Sequence, residues 1–261
     1  MTSTVLPFQV VKAPETWRTV DFISDLHLQA QEPATFQLWQ RYMRDTSADA
    51  VFILGDLFEV WVGDDAVMAT DFLKQCQAVL KATSAQRHVA FMRGNRDFLV
   101  GSKFLSECQV EDLQDPTLIH FGQQAWLMCH GDEGCLADVD YQKFRRVVRA
   151  PGWQQEFLAK PLSERQDIAR QMRHQSEANK QNPDAVYADV NETWATELFK
   201  SSHAQCMVHG HTHQPADHLL GSEGQYVRRV LSDWDATTNP RAEVLRWHAT
   251  GQVERIKLIG A

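Results

Sequence analysis

Short, largely apolar runs of four residues recur along the first half of the chain, and each stops at a polar turn. They occupy residues 20–23, 51–54 and 89–92. A short apolar run that ends at a turn is typical of a buried β-strand. Residues 33–44 and 67–83 instead repeat their apolar positions every three or four residues, which predicts amphipathic helices. The first half therefore predicts an alternation of strands and helices.

The second half of the chain changes pattern twice. Residues 117–121 and 125–129 are apolar runs on either side of Gly122, as in a β-hairpin. Residues 136–200 look helical and interrupt the series of strands, whereas residues 225–259 alternate without helical periodicity and predict further strands. We therefore expect a mixed α/β fold with one helical insertion.

The composition is that of an ordinary globular protein, with 43% hydrophobic and 23% charged residues in a chain of 261. No run approaches the ~18 consecutive apolar residues of a transmembrane helix, and the N-terminus lacks the features of a secretory signal. We therefore expect a cytoplasmic protein and, by default, a monomer. The formal net charge of -8 argues against a nucleic-acid partner, which would favour a basic surface. Five scattered cysteines without CxxC spacing predict free thiols and no thiolate zinc site.

Five polar strings follow apolar runs and carry side chains that bind metals. They are Asp25-Leu26-His27, Gly55-Asp56, Gly94-Asn95-Arg96-Asp97, His130-Gly131-Asp132 and His209-Gly210-His211. Strand ends in an α/β sheet converge on one edge, where ligands bind. Residues two apart in an extended segment point to the same side, so the two ligands of the first string, and those of the last, can reach one centre. The strings therefore predict one shared metal site.

The predicted ligands are oxygens and imidazoles, without thiolates. Such a set suits Mn, Fe, Mg or catalytic Zn. Seven ligands exceed the need of one small metal with an open position and suit two metals bridged by a carboxylate, for which Asp56 is the natural candidate. The simpler alternative is a set of polar loop residues and satisfied core histidines. We favour that alternative for isolated histidines, and we place His213 at the surface or behind the ligands.

The five strings resemble, in order, the motifs D-x-H, G-D, G-N-x-D, H-G and G-H-x-H of the calcineurin-like metallophosphoesterases. The resemblance implies a four-layer αββα sandwich of the α/β (α+β) class and a centre with two Mn²⁺, in whose place Fe, Mg or Zn can serve. It implies that one metal is bound by Asp25, His27, Asp56 and His211. It implies that the other is bound by Asp56, Asn95, His130 and His209.

Arg96 bears on the type of bond that is cut. Many members of the superfamily resemble G-N-H-D/E here, with a histidine that can protonate an alkoxide leaving group. Arginine keeps its proton and is a poor general acid, but its planar guanidinium matches phosphate oxygens. A phosphate leaving group is already a stable anion, so Arg96 favours a pyrophosphate substrate over an alkyl ester. The alternative is that Arg96 only braces its loop, for example by pairing with Asp97.

A closer resemblance links the chain to the UDP-2,3-diacylglucosamine pyrophosphohydrolases of lipid A synthesis. It rests on residues 22–28, 53–65, 94–99, 130–132, 138–145, 189–191 and 209–213. The implied reaction is attack of water on the α-phosphorus, which gives UMP and 2,3-diacylglucosamine 1-phosphate (lipid X). The implied catalytic residues are Asp56, Asn95, Arg96 and His130. The implied substrate contacts are Asn95, Arg96, Asp138, Ser176, Asn179, Lys180 and His209, where Asn179 and Lys180 follow from one of several alignments of residues 176–183.

The same resemblance divides the chain into three parts. Residues 1–17 form an N-terminal extension, residues 18–135 and 201–261 form the metallophosphoesterase core, and residues 136–200 form a helical lid that binds acyl chains. The composition of the lid agrees, because residues 138–180 carry nine Lys and Arg against six acids, interleaved with apolar residues. Basic and apolar side chains together favour anionic lipid surfaces. We therefore predict peripheral association with the cytoplasmic side of the inner membrane.

Two other functions stay open at this point. If the helical segment is an ordinary subdomain around its own core, the protein is a generic dinuclear metallophosphoesterase that acts on a soluble nucleotide or phosphodiester. The second is a binding scaffold without catalysis. A scaffold would be expected to lose metal ligands, and all seven predicted positions are filled here.

Overall fold

Two six-stranded β-sheets form the centre of the molecule in a computed structural model, which describes residues 8–180 and 188–259, without the side chains of residues 174–180. The strands are β1 (Gln9–Lys12), β2 (Thr19–Ile23), β3 (Ala50–Leu54), β4 (His88–Met92), β5 (Glu111–Leu113), β6 (Thr117–Phe121), β7 (Gln124–Met128), β8 (Cys206–His209), β9 (Asp217–Leu220), β10 (Tyr226–Val230), β11 (Glu243–His248) and β12 (Val253–Lys257). The helices are α1 (Pro33–Asp45), α2 (Ala66–Ala69), α3 (Asp71–Ser84), α4 (Ser102–Cys108), α5 (Val139–Val148), α6 (Pro151–Leu158), α7 (Leu162–Lys180) and α8 (Glu192–Ser202).

The two sheets place parallel strands at their centres. The first sheet has the strand order β12-β11-β2-β3-β4-β5, and the second has the order β1-β6-β7-β8-β10-β9. Strands β2, β3 and β4 run parallel, and so do β7 and β8. All five residues of β3 are buried, as expected of a parallel strand that is covered on both faces. The carboxyl ends of these parallel strands lead into the predicted metal-binding strings.

Three apolar layers hold the elements together. Between the sheets, the rings of Trp126 and Trp247 stack with their centroids 4.0 Å apart. A second layer packs α1, α3 and α4 against the outer face of the first sheet, and a third packs α8 against the outer face of the second. The order helix, sheet, sheet, helix confirms the predicted four-layer αββα sandwich.

The strands predicted at residues 20–23, 51–54 and 89–92 are confirmed as β2, β3 and β4. The helix predicted at residues 67–83 is instead two helices, α2 and α3. Thr70 separates them with an extended backbone (φ -136°), and its hydroxyl accepts a hydrogen bond from the backbone N–H of Leu73 at 3.4 Å. This contact caps the start of α3. A capping residue thus interrupts an apolar periodicity that continues on both sides of it.

The described part of the N-terminal stretch belongs to the core of the fold. Strand β1 lies at the edge of the second sheet and pairs in parallel with β6. Trp17 packs edge to face on Phe52, with 6.4 Å between the ring centroids. The helical insertion predicted at 136–200 contains α5, α6, α7 and most of α8. Among the described residues, no helix combines the length and the apolar character needed to cross a bilayer.

A buried ion pair ties β2 to β11 and α1. Asp21 accepts hydrogen bonds from the Arg246 guanidinium at 2.7 and 2.9 Å and from Tyr42 Oη at 2.8 Å. Asp21→Ala leaves the cation and the phenol without this acceptor, and we expect it to lower the free energy of unfolding by about 3–5 kcal/mol. Urea unfolding followed by circular dichroism measures the loss. Asp45→Ala, which removes an exposed partner of Arg44, is the control; equal losses in the two variants would contradict the prediction.

Candidate active site

Strained backbone marks one edge of the two sheets. Of the seven described non-glycine residues with positive φ, four belong to the predicted strings and a fifth lies two residues after the last string. They are Asp25, His27, Asp56, His211 and His213, with φ between 49° and 65°. The left-handed region costs a residue with a side chain about 1–2 kcal/mol. Strain of this kind collects at functional sites, where the surrounding structure enforces it.

Asp25, His27 and His213 form a first group of side chains with the spacing needed to hold a cation. His213 Nε2 lies 3.3 Å from Asp25 Oδ1 and 3.3 Å from His27 Nε2. Asp25 Oδ1 is buried and accepts no hydrogen bond from any described residue, although buried carboxylate oxygens normally have a partner. The other oxygen, Oδ2, accepts from Ser24 Oγ at 2.5 Å and from the His211 N–H at 2.9 Å. One carboxylate oxygen and two imidazole nitrogens therefore converge on one point, with the spacing of ligands around a cation.

A second group surrounds Asp56 and His130. His130 Nε2 lies 3.7 Å from Asp56 Oδ2 and 3.0 Å from Asn95 Oδ1, and His211 Nδ1 lies 2.8 Å from the same amide oxygen. Nδ1 of His130 is 2.9 Å from the carbonyl oxygen of Leu54 and donates to it. With Nδ1 committed to that hydrogen bond, Nε2 is the nitrogen that faces the group, as in many histidine metal ligands.

The two groups fit a pair of cations. Asp25 belongs to both, so they lie side by side. Their donors are carboxylate and amide oxygens and imidazole nitrogens, a mixture suited to Mn, Fe, Mg or Zn in a catalytic site. All five cysteines are buried and unpaired, and none of them belongs to either group.

His209 lies beside this centre, but both of its ring nitrogens are engaged elsewhere. Nε2 is 3.2 Å from the Arg228 guanidinium, and Nδ1 is 2.9 Å from the carbonyl oxygen of Gly210. Burial, together with the charge of Arg228, lowers the pKa of His209 to about 4. The neutral ring therefore accepts a hydrogen bond at Nε2 and donates one from Nδ1. The Arg228 guanidinium therefore lies at the one nitrogen of the neutral His209 ring that carries a free lone pair.

The structure places two of these histidines differently from the prediction. The His213 imidazole lies at Asp25, where the prediction placed His211, and the His211 imidazole lies at Asn95, where the prediction placed His209. The motif G-H-x-H, matched letter by letter, begins at residue 210 and already assigns its imidazoles to residues 211 and 213. The prediction instead counted the histidine that precedes the glycine.

Glu59 was not predicted as part of the site, and it connects three functional elements. Its carboxylate lies 3.0 Å from His27 Nδ1, 3.5 Å from the Arg96 guanidinium and 3.3 Å from Nε of Arg173 on α7. Burial acts to raise the pKa of Glu59, but the contact with His27 and the charges of Arg96 and Arg173 outweigh it and lower the pKa. The only signal in the sequence was a carboxylate three residues after Asp56.

Asp97 braces the loops that follow β3 and β4. Its carboxylate accepts the backbone N–H groups of Gly94 at 2.8 Å, Asp56 at 3.2 Å and Phe58 at 3.3 Å. The backbone N–H of Arg96 donates to Asp56 Oδ1 at 2.7 Å. The Arg96 guanidinium pairs with the Glu59 carboxylate. The alternative in which Arg96 pairs with Asp97 is therefore not what the structure shows.

Asp132 attaches the helical segment to the site. Its buried carboxylate accepts hydrogen bonds from Tyr141 Oη at 2.5 Å and from Arg145 Nε at 2.9 Å, both on α5. Asp138, a predicted substrate contact, caps α5 by accepting the N–H of Tyr141 at 3.0 Å. The other predicted contacts in this segment lie on α7, and their side chains are outside the described residues. They are Ser176, Asn179 and Lys180.

The chain belongs to the calcineurin-like phosphoesterase family, whose sequence model matches residues 18–215. This family uses a dinuclear metal site. The chain is similar to UDP-2,3-diacylglucosamine hydrolases: it is 40% identical to that of Aromatoleum aromaticum over 88% of this chain and 93% of the relative. Identity to that of Chromobacterium violaceum is 44% over 82% of this chain and 90% of the relative. Identity to that of Haemophilus influenzae is 37% over 90% of this chain and 98% of the relative.

Proposed function

We propose that this protein hydrolyses the pyrophosphate bond of UDP-2,3-diacylglucosamine. Water attacks the α-phosphorus, and the products are UMP and 2,3-diacylglucosamine 1-phosphate. The observation that carries the proposal is the meeting of two cation-binding groups at one sheet edge, in a chain whose relatives bear the name of this hydrolase. The helical segment that is joined to this edge by Asp132 gives the site a second wall.

Two metal ions account for the arrangement of the ligands. The first would be bound by Asp25, His27, Asp56 and His213. The second would be bound by Asp56, Asn95, His130 and His211. Such a pair supplies an activated water and stabilises the attacking and leaving oxygens of an in-line displacement at phosphorus. We propose Mn²⁺ for both positions, because oxygen and imidazole donors suit it.

Arg96 and Asn95 are the residues that we propose to contact the pyrophosphate. The Arg96 guanidinium is held by Glu59 at 3.5 Å and is 20% exposed, so one side is fixed while part of the group stays open to a ligand. The amide oxygen of Asn95 faces His130 and His211, which leaves its NH₂ group as a donor to a phosphoryl oxygen. The leaving phosphate is a stable anion, and Arg96 compensates its charge without giving up a proton.

We propose residues 136–200 as a lid that receives the acyl chains. Five of the nine large apolar side chains exposed among the described residues lie between positions 136 and 158. They are Leu136, Val139, Phe144, Val147 and Leu158. Basic residues stand between them in the sequence, such as Lys143 and Arg146. Apolar and cationic side chains on one segment suit the acyl chains and anionic head groups of a membrane surface.

Binding to anionic vesicles should be peripheral and sensitive to salt. Screening shortens from about 10 Å at 0.1 M salt to about 3 Å at 1 M, so we expect the bound fraction to fall steeply between these concentrations. Co-sedimentation with vesicles that contain phosphatidylglycerol measures it. The double variant Phe144→Ser, Val147→Ser should bind less, whereas Leu219→Ser, which alters an exposed leucine on β9, should not. Absence of binding at low salt, or equal effects of the two variants, would count against the lid as a membrane contact.

The direct test of the activity uses purified protein, Mn²⁺ and UDP-2,3-diacylglucosamine in water that carries heavy oxygen. Mass spectrometry should find UMP and lipid X, with the label in UMP if water attacks the α-phosphorus. UDP-glucose offers the same pyrophosphate without acyl chains and is the matched control substrate. Faster hydrolysis of UDP-glucose or of a simple phosphodiester would point to a soluble substrate and remove the proposed function.

A further inference from the structure

Arg228 is a buried cation behind the candidate metal centre, and the proposed reaction gives it no task. Its side chain is 3% exposed and lies on β10. Two hydrogen bonds of 2.8 Å join its terminal nitrogens to the two carboxylate oxygens of Asp189. Asp189 stands just before α8, at the end of the helical segment that we propose as the lid. One terminal nitrogen of Arg228 also lies 3.2 Å from His209 Nε2.

The contact with Arg228 fixes the state of the His209 ring. A guanidinium has only donors, so Nε2 must accept and the ring proton must be on Nδ1. Nδ1 then donates to the carbonyl oxygen of Gly210 at 2.9 Å. The N–H of Thr212 donates to the same oxygen at 2.8 Å. Two donors therefore hold the carbonyl of the peptide that links residues 210 and 211.

Two of the proposed metal ligands, His130 and Asp25, hold the backbone of residues 210 and 211. The N–H of Gly210 donates to the carbonyl oxygen of His130 at 3.0 Å, and the N–H of His211 donates to Asp25 Oδ2 at 2.9 Å. The backbone at Gly210 packs closely against Asp25, since a Cβ atom at Gly210 would lie 2.1 Å from Asp25 Oδ2. The ring of His209 also lies against Gly131, where a Cβ atom would be 2.7 Å from Nδ1.

We propose that Arg228 is a positioning residue for the second metal site. Held by Asp189, it fixes the ring of His209. The ring orients the Gly210 carbonyl and, through that peptide, stabilises the left-handed backbone (φ 65°) of His211. The inference rests on the proposed function for the identity of the second metal site, but its test measures the binding of metal and needs no substrate.

Titration of the metal-free protein with Mn²⁺ in a calorimeter tests the proposal. In Arg228→Met, which keeps the length of the side chain and removes its donors, we expect the second Mn²⁺ to bind about 10–100-fold more weakly, as for other residues that orient metal ligands. The first Mn²⁺ should bind as in the unsubstituted protein. The matched control is Arg229→Met, since Arg229 is the next residue of β10 and pairs with Asp217 on the neighbouring strand. Unchanged affinity for both ions in Arg228→Met would overturn the proposal.

Variants of the partners separate positioning from other roles. His209→Asn keeps a donor near the place of Nδ1 and should retain most of the affinity, whereas His209→Ala should weaken the second ion as Arg228→Met does. A His209→Ala protein that binds one Mn²⁺ at every concentration would make His209 a ligand and overturn the proposal.

If Arg228→Met does not fold, the same comparison of Mn²⁺ affinities is made with Asp189→Asn, which weakens the hold on Arg228. Two Mn²⁺ bound without hydrolysis of the lipid nucleotide would remove the proposed function and leave the positioning test intact.

Discussion

Replacing Asp56 by alanine should abolish the hydrolysis of UDP-2,3-diacylglucosamine, with a fall in kcat/KM on the order of 10³-fold or more. The carboxylate faces His130 on one oxygen and accepts the N–H of Arg96 on the other. As the proposed bridge, it contributes charge to both metals, and a metal clamp supplies several kcal/mol of transition-state stabilisation. Each 1.36 kcal/mol corresponds to about a tenfold change in rate. Steady-state kinetics with Mn²⁺ measure the loss of activity, and the metal content of the purified protein measures the loss of bound metal.

The control for Asp56→Ala is Asp71→Ala, which removes an exposed carboxylate that pairs with Lys74 at the start of α3. This control should retain full activity and metal content. If Asp56→Ala turns over substrate as fast as the control, Asp56 does not bridge the two metals.

His213→Ala should reduce kcat/KM by about 10²–10³-fold, because it removes an imidazole that stands 3.3 Å from both Asp25 and His27. Besides the lower rate, we expect weaker binding of the first Mn²⁺. Arg228→Met should instead weaken the binding of the second Mn²⁺. His218→Ala, at a half-buried position on β9, is the matched control and should leave both measurements unchanged. Full activity of His213→Ala would return the ligand role to another histidine.

The sequence predicted which strands are buried and which polar residues follow them, because apolar runs and turns are local features of the chain. Apolar runs such as 51–54 identify buried strands, and the polar string that follows each run identifies side chains that lie at the sheet edge. The resemblance of these strings to a known family then supplied the four-layer order, which periodicity alone does not give. The break at Thr70 was missed, because a hydroxyl that caps a helix leaves the apolar pattern on either side unchanged.

At the last string the structure places the histidines differently from the prediction, and the reason is local. The rule that residues two apart share a side holds for extended backbone. Strand β8 ends at His209 and the backbone is left-handed at His211 and His213, so that rule does not describe this segment. The partners Glu59 and Arg228 could not be predicted for a different reason. Arg228 meets Asp189 across 39 positions of sequence, a contact that exists only once the sheets have formed.

The positions of bound metals test the account most directly. Crystals of the protein soaked in Mn²⁺ and measured by anomalous diffraction should show two peaks about 3.5–4 Å apart, with Asp56 between them. One peak should be within bonding distance of His27 and His213, and the other of His130 and His211. A single peak, or a peak bonded to His209, would contradict the account.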